Sequence, residues 1–146
     1  MKNSAGFTLV ELIVTIVLVG ILVGTAVPTF NRMVNETQSQ TNISNMVIIK
    51  NVFMQYYYDN HIAGNPHFPE LPENGLMDST YRHIQLEDGR TPNMLFSGDL
   101  PLNSNDKPYI YKWENDTTNG FITKKIIIKD EDVDSPSYNK EIIGEI

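Results

Sequence analysis

The stretch AGFTLVELIVTIVLVGILVGTAVP, residues 5–28, is almost entirely apolar. Within it, residues 12–27 carry polar side chains at Thr15 and Thr25 alone. Together with residues 7–10, the apolar run is about 20 residues long, or about 30 Å as a helix, which matches the hydrocarbon core of a bilayer. The sequence therefore predicts an amino-terminal helix that spans a membrane or directs the chain to one.

A single carboxylate, Glu11, lies near the start of this run. An ionised side chain inside a membrane helix costs on the order of 3 kcal/mol on insertion scales, and such residues usually have a function. Two ordinary interpretations of the segment leave Glu11 without a function. The first is a secretory signal peptide cut after the apolar region, where residues 24–26 are small. The second is a signal anchor in which Lys2 keeps the amino terminus in the cytoplasm.

A third interpretation starts from GFTLVEL, residues 6–12. This motif resembles the start of the type IV pilin and type II secretion pseudopilin family, in which a short basic leader ends in Gly and is followed by Phe and an apolar helix containing Glu. The resemblance implies a leader over residues 1–6, cleavage between Gly6 and Phe7 by a prepilin peptidase, and N-methylation of Phe7. It also implies that residues 7–30 form a transmembrane helix that later lies in a filament core.

By the same resemblance, Glu11 pairs with the amine that cleavage exposes on Phe7 of a neighbouring subunit. A buried acid that is paired with a cation costs far less than an isolated one. The alternative is that Glu11 merely reaches the lipid headgroups. The resemblance further implies a homo- or heteropolymer with other pilin-like subunits and an inner-membrane assembly platform as partners. Gly20 and Pro28 predict an interruption of the helix, because Pro lacks a backbone donor and kinks helices. The alternative is that both residues are tolerated in an unbroken membrane helix, as Gly and Pro commonly are.

The remaining chain, residues 31–146, predicts a head outside the membrane. Apolar residues return at spacings of three and four, which predicts that the helix continues over residues 31–59. Clustered Pro, Gly and Asn predict a loop over residues 60–80. Runs of β-branched and aromatic residues then predict an antiparallel sheet within residues 81–146. The predicted class is α+β, a long amino-terminal helix packed on a small carboxy-terminal antiparallel sheet.

Four segments of the head have the composition of strands. ENDTTNG, residues 114–120, predicts the turn of a hairpin, and GFITKKIIIKD predicts the central strand. The predicted strands are residues 81–87, 109–114, 120–129 and 138–146.

The composition excludes several classes of function. The chain has 18 acidic against 11 basic residues and a net charge of −7. This argues against nucleic acid as the main partner, since phosphate binding needs clustered Lys and Arg. There is no cysteine, so disulfides and thiolate sites are excluded. His61 and His67 lie in the loop of Pro and Asn, and no catalytic motif is present, so the sequence predicts no enzyme.

One acidic cluster, KDEDVDSPS at residues 129–137, is a candidate calcium loop. Asp130, Asp132 and Asp134 alternate and Ser135 follows, and calcium binds several oxygens of Asp and backbone carbonyls on short loops. Major pseudopilins, which this chain resembles, carry a calcium loop in the carboxy-terminal region. The alternative is a solvated acidic turn that protects a sheet edge. No cofactor is therefore certain, and calcium remains a candidate.

The sequence thus predicts a structural filament subunit. Both a type II secretion pseudopilin and a type IV pilin remain open, although the lack of cysteine and the Leu100-Pro101 and Pro108-Tyr109 pairs favour a pseudopilin. The predicted location is a single pass of the inner membrane, with the amino terminus cytoplasmic and the head periplasmic, and then the filament. The alternative is an exported periplasmic domain behind an ordinary signal peptide or signal anchor. The side on which the apolar stretch is cut distinguishes them.

Overall fold

The structure, a computed structural model, describes residues 7–82, 95–96, 98–118 and 121–146. The strands form one antiparallel sheet in the order β1-β2-β3. The predicted α+β class, a long helix packed on a small antiparallel sheet, is confirmed. The elements in chain order are α1 (Leu9–Ile62), a short 3-10 helix (Ser79–Arg82), β1 (Ile110–Thr118), β2 (Phe121–Lys129) and β3 (Glu141–Glu145).

The chain divides into two compact units, and the first ends at Thr37. Among the described residues, α1 is the one helix long and apolar enough to cross a membrane. It runs unbroken through Gly20 and Pro28, which corrects the interruption predicted there. Pro28 removes one N–H donor, but the turns on either side keep their hydrogen bonds. The hydroxyl of Thr29 adds a bond to the carbonyl of Thr25 at 3.0 Å.

The second unit, Gln38–Ile146, contains the core. Along α1 the buried apolar residues recur every three or four positions, as the sequence predicts for a helix with one buried face. The helix ends in a Schellman motif, in which Asn65 N donates to Asn60 O and Gly64 N donates to His61 O. Gly64 has a φ of 93°, which a glycine adopts without strain. The buried residues that α1 contributes to the core are Met46, Ile49, Phe53 and Tyr57.

Aromatic side chains join the helix to the sheet. The ring of Phe53 lies 4.6 Å from that of Tyr111 on β1 and 5.9 Å from that of Tyr81. The hydroxyl of Tyr111 donates to Pro69 O at 3.0 Å, and that of Tyr81 donates to Glu70 O. The segment after α1 is thereby fixed to the core through its backbone carbonyls.

The sheet agrees with the predicted hairpin but not with its turn. β2 is the central strand, as predicted, and pairs with β1 from Lys129 to Phe121. Residues 114–118 belong to β1, so the turn predicted over residues 114–120 is too long, because cross-strand pairs extend the ladder beyond the apolar residues.

Two other predicted strands also differ. The last strand is residues 141–145, because residues 138–140 are bound in turns. The strand predicted over residues 81–87 begins inside the 3-10 helix, where Tyr81 packs into the core, and its remainder lies outside the described residues.

The third strand approaches α1 closely at a glycine. Gly144 pairs with Ile126 across the sheet. A Cβ placed on Gly144 would lie 2.9 Å from Cγ2 of Ile126 and 3.2 Å from Cδ of Lys50 on α1. Any side chain at this position would therefore displace the strand or the helix.

Candidate functional site

The start of α1 is a capping box. Thr8 precedes the first helical residue, and its backbone N and Oγ1 donate to Glu11 Oε2 at 2.9 and 2.8 Å. In return Glu11 N donates to Thr8 Oγ1 at 3.3 Å. This reciprocal pattern satisfies helix donors that otherwise lack partners. The sequence carried a signal for this capping box, the Thr-x-x-Glu spacing, which was not recognised.

The side chains around this capping box are apolar and exposed. Phe7 is 81% exposed, and large apolar side chains are exposed from there to Val34. An apolar surface of this extent marks a contact with lipid or with another protein. Gly6, the other residue of the predicted cleavage site, lies outside the described residues.

A second polar site lies in the loop between β2 and β3. Asp130 is fully buried there. Its Oδ2 accepts hydrogen bonds from the hydroxyls of Ser135 and Ser137 at 2.5 and 2.6 Å. Its Oδ1 accepts from Asn103 Nδ2 at 3.3 Å and from Asp132 N at 3.1 Å. Each oxygen of the Asp130 carboxylate therefore has two donors.

Asp132 has the same number of donors and one of them is a cation. Lys107 Nζ donates to its Oδ1 at 2.7 Å, and Asp134 N donates to the same oxygen at 3.3 Å. Asn105 and Asn103 donate their side-chain amides to Oδ2 at 2.6 and 3.1 Å. The Lys107 hydrogen bond, followed by that of Asn105, holds the pKa of Asp132 well below its ordinary value. The same bond raises the pKa of Lys107.

The buried residue Asn42 on α1 fastens this loop to the helix. Its Nδ2 donates to the hydroxyls of Ser137 and Ser135 at 2.7 and 3.0 Å. Its Oδ1 accepts from Ser104 N at 2.8 Å. Four residues of this site could not be predicted from the sequence because their partners are distant in the chain: Asn42, Asn103, Lys107 and Ser137.

These residues together form a polar cluster. It consists of Asn42, Asn103, Lys107, Asp130, Asp132, Ser135 and Ser137.

Of the four residues predicted as calcium ligands, the structure brings three together. Asp130, Asp132 and Ser135 belong to the polar cluster. Asp134 is exposed and joins through its backbone N–H. Within the part of the chain that the structure describes, no three His, Cys, Asp or Glu residues form a group that could hold a metal ion. Calcium binding stays a prediction.

Comparison with known proteins bears on the amino-terminal segment. A family model described as the prokaryotic N-terminal methylation motif matches residues 1–27. Type II secretion system core protein G of Escherichia coli (strain K12) is 34% identical over 67 residues. The amino-terminal segment of this chain is therefore similar to that of the pilin and pseudopilin family. The alignment covers 46% of this chain and 43% of the relative, so the chain matches less than half of that protein's length. No solved structure matches the chain significantly.

The matched motif includes the capping box but not the acidic loop of the head. The matched motif contains Phe7, Thr8 and Glu11, so the capping box lies inside the segment that defines this pilin-like chain. An exposed apolar helix in this position fits a protein anchored in the inner membrane. The polar cluster, apart from its residue on α1, lies in the carboxy-terminal part of the head.

Proposed function

We propose that this pilin-like chain is a structural subunit of a filament, assembled through its amino-terminal helix, and has no enzymatic activity. The observation that carries the proposal is a methylation motif on a helix whose apolar side chains are exposed. Such a surface is stable in a bilayer, and between subunits it can pack helix against helix. The membrane anchor thereby becomes the polymer interface.

Glu11 supplies the specific contact between subunits in this proposal. Both hydrogen bonds from Thr8 go to its Oε2, and among the described residues none goes to Oε1. Cleavage between Gly6 and Phe7 leaves a cationic amine on Phe7 at the same end of the helix. When a neighbour's amine binds Oε1, both charges are neutralised as the helix leaves the headgroups. The capping box holds the carboxylate ready for that contact.

The finer assignment that we propose is a pseudopilin of a type II secretion apparatus. The similarity to the Escherichia coli core protein G and the lack of cysteine support it over a type IV pilin. We place the amino terminus in the cytoplasm, since the basic residue before the span is Lys2, and the head in the periplasm. The partners are a prepilin peptidase, an assembly platform and other pilin-like subunits.

Processing tests the filament proposal directly. We would express the full chain with and without a prepilin peptidase and measure its intact mass and amino-terminal sequence. The proposal predicts that the peptidase yields a chain that starts at Phe7 and carries one added methyl group. A chain that starts near Val27, or one left uncut by the peptidase, would contradict it and favour a signal peptide or a signal anchor.

Deletion of the coding sequence in the source organism separates the two kinds of filament. A secretion pseudopilin predicts loss of proteins from the medium while surface pili remain. Loss of pili with normal secretion would overturn the secretion assignment and leave the filament proposal intact.

A further inference from the structure

The polar cluster leaves no free acceptor on its two carboxylates. An ionised carboxylate has about four lone-pair sites. Asp130 receives four donors, two on each oxygen. Asp132 also receives four, again two on each oxygen. A calcium ion needs several oxygens as direct ligands, so it could bind here only by displacing hydrogen bonds that are already made.

The positive charge that a calcium ion would place beside Asp132 is already supplied by Lys107. The side chain of Asp132 is 2% exposed, whereas that of Lys107 is 52% exposed. A carboxylate taken out of water needs a cation at close range, and the ammonium of Lys107 provides one at 2.7 Å. About half of the Lys107 side chain stays in contact with water, which lowers the penalty for desolvating it.

The backbone places this ammonium. Lys107 N donates to Asn103 Oδ1 at 2.9 Å, and Asn103 N donates to Lys107 O at 2.9 Å. Asp106 between them has a φ of 57°, which closes the turn. Asn103 also donates to both carboxylates. One short turn therefore positions the amide and the cation that satisfy the acidic loop.

We propose that Lys107 takes the place of the calcium ion that a resembling pseudopilin loop carries. The carboxy-terminal loop then folds around an internal cation and stays ordered when calcium is absent. The donor set does not fit calcium, since the carboxylate oxygens of Asp130 and Asp132 are bound to Ser, Asn, Lys and backbone donors of the same chain. This inference is independent of the filament assignment, since it concerns the head alone.

The first test needs no variant. We would measure the thermal unfolding of the full chain in detergent by near-ultraviolet circular dichroism, in EGTA and in millimolar calcium chloride. The proposal predicts midpoints that agree within about 1 °C, because a ligand stabilises a fold only when it binds the native state. A midpoint that calcium raises by several degrees, or stoichiometric calcium binding by calorimetry, would overturn the proposal.

The second test removes the internal cation. In EGTA, Lys107→Gln should lower the midpoint by more than about 5 °C, because it leaves a buried carboxylate without its cation. Lys140→Gln is the matched control, since it removes an exposed lysine at the end of the acidic loop and should change the midpoint by less than about 2 °C. Lys107→Arg keeps the charge and should lie between them. Equal midpoints for the two glutamine variants would overturn the proposal.

Discussion

The capping box and the polar cluster each contain a carboxylate, but the two carboxylates differ in how many hydrogen-bond donors they have. Glu11 has donors from one residue, Thr8, on one of its oxygens, and its neighbours are exposed apolar side chains. Asp130 is buried and has two donors on each oxygen, all from the same chain. A carboxylate satisfied within the chain holds the fold together. A carboxylate on an apolar surface with donors to only one oxygen can still bind a donor from another subunit.

The largest effect that separates the two sites is on stability. Asp130→Ala leaves the hydroxyls of Ser135 and Ser137 buried without the carboxylate that accepts from them, which should lower the free energy of unfolding of the head by roughly 3 kcal/mol. Glu11→Ala lies in the other unit and should leave the unfolding of the head unchanged. Urea denaturation of the full chain in detergent measures both.

Asp134→Ala is the control for the loop, because its side chain is exposed. It should lower the free energy of unfolding by less than about 0.5 kcal/mol. A loss as large as that of Asp130→Ala would mean that the loop is held by its total charge instead of by the bonds to Asp130.

A smaller effect compares glycines of the two units. Gly144→Ala should lower the free energy of unfolding by about 1–2 kcal/mol, because its Cβ would lie 2.9 Å from Ile126. Gly20→Ala, in the apolar helix, has nothing within 4 Å of the added carbon and should not lower it. Thermal unfolding of both variants measures the difference. Equal losses would show that the close approach of β3 to α1 does not constrain the fold.

Features of the fold that depend on residues close together in the chain could be predicted from the sequence, whereas contacts between distant residues could not. Apolar spacing is local, so the long helix, its buried face from Met46 to Tyr57 and the central strand were predicted. The motif from Gly6 to Glu11 is also local. The hydrogen bonds of Asn42 join residues 62 to 95 positions apart, and no local pattern in the sequence predicts them.

Other differences arose where several structures suit the same residues. Residues 114–118 carry turn formers, yet pairing with β2 holds them in a strand. Asp130 and Asp132 alternate as calcium ligands do, and the sequence alone could not show that Lys107 lies beside them.

The pH dependence of the head is the smallest effect near neutrality. The pKa of Asp132 is lowered by Lys107, so its stabilising contribution is present above about pH 4 and is lost as the pH falls below that value. Burial raises the pKa of Tyr81 to about 12 and also raises the pKa values of Tyr109 and Tyr111. The unfolded chain ionises these tyrosines near pH 10, so stability should fall as the pH rises above 10.

Midpoints of urea unfolding at each pH should therefore form a plateau between about pH 4 and pH 10 and fall on both sides. A decline that begins near pH 6 would contradict this account and would point to a histidine instead. Lys107→Gln should lower the plateau and make the decline on its acid side shallower, since the pKa of Asp132 then lies closer to its value in the unfolded chain.

The most direct test of the central claim is the yield of filaments sheared from cells that carry Glu11→Gln in place of the wild-type chain. The control is Glu36→Gln, which removes an exposed carboxylate paired with Arg32 on the same helix. If Glu11 binds a neighbouring subunit, Glu11→Gln should lower the filament yield by a factor of at least about ten, because it breaks a charge pair that is shielded from water. Its amount in the membrane and its processing at Phe7 should stay normal, as should the filaments of Glu36→Gln. Wild-type yields from Glu11→Gln would contradict the account and leave Glu11 as a helix cap.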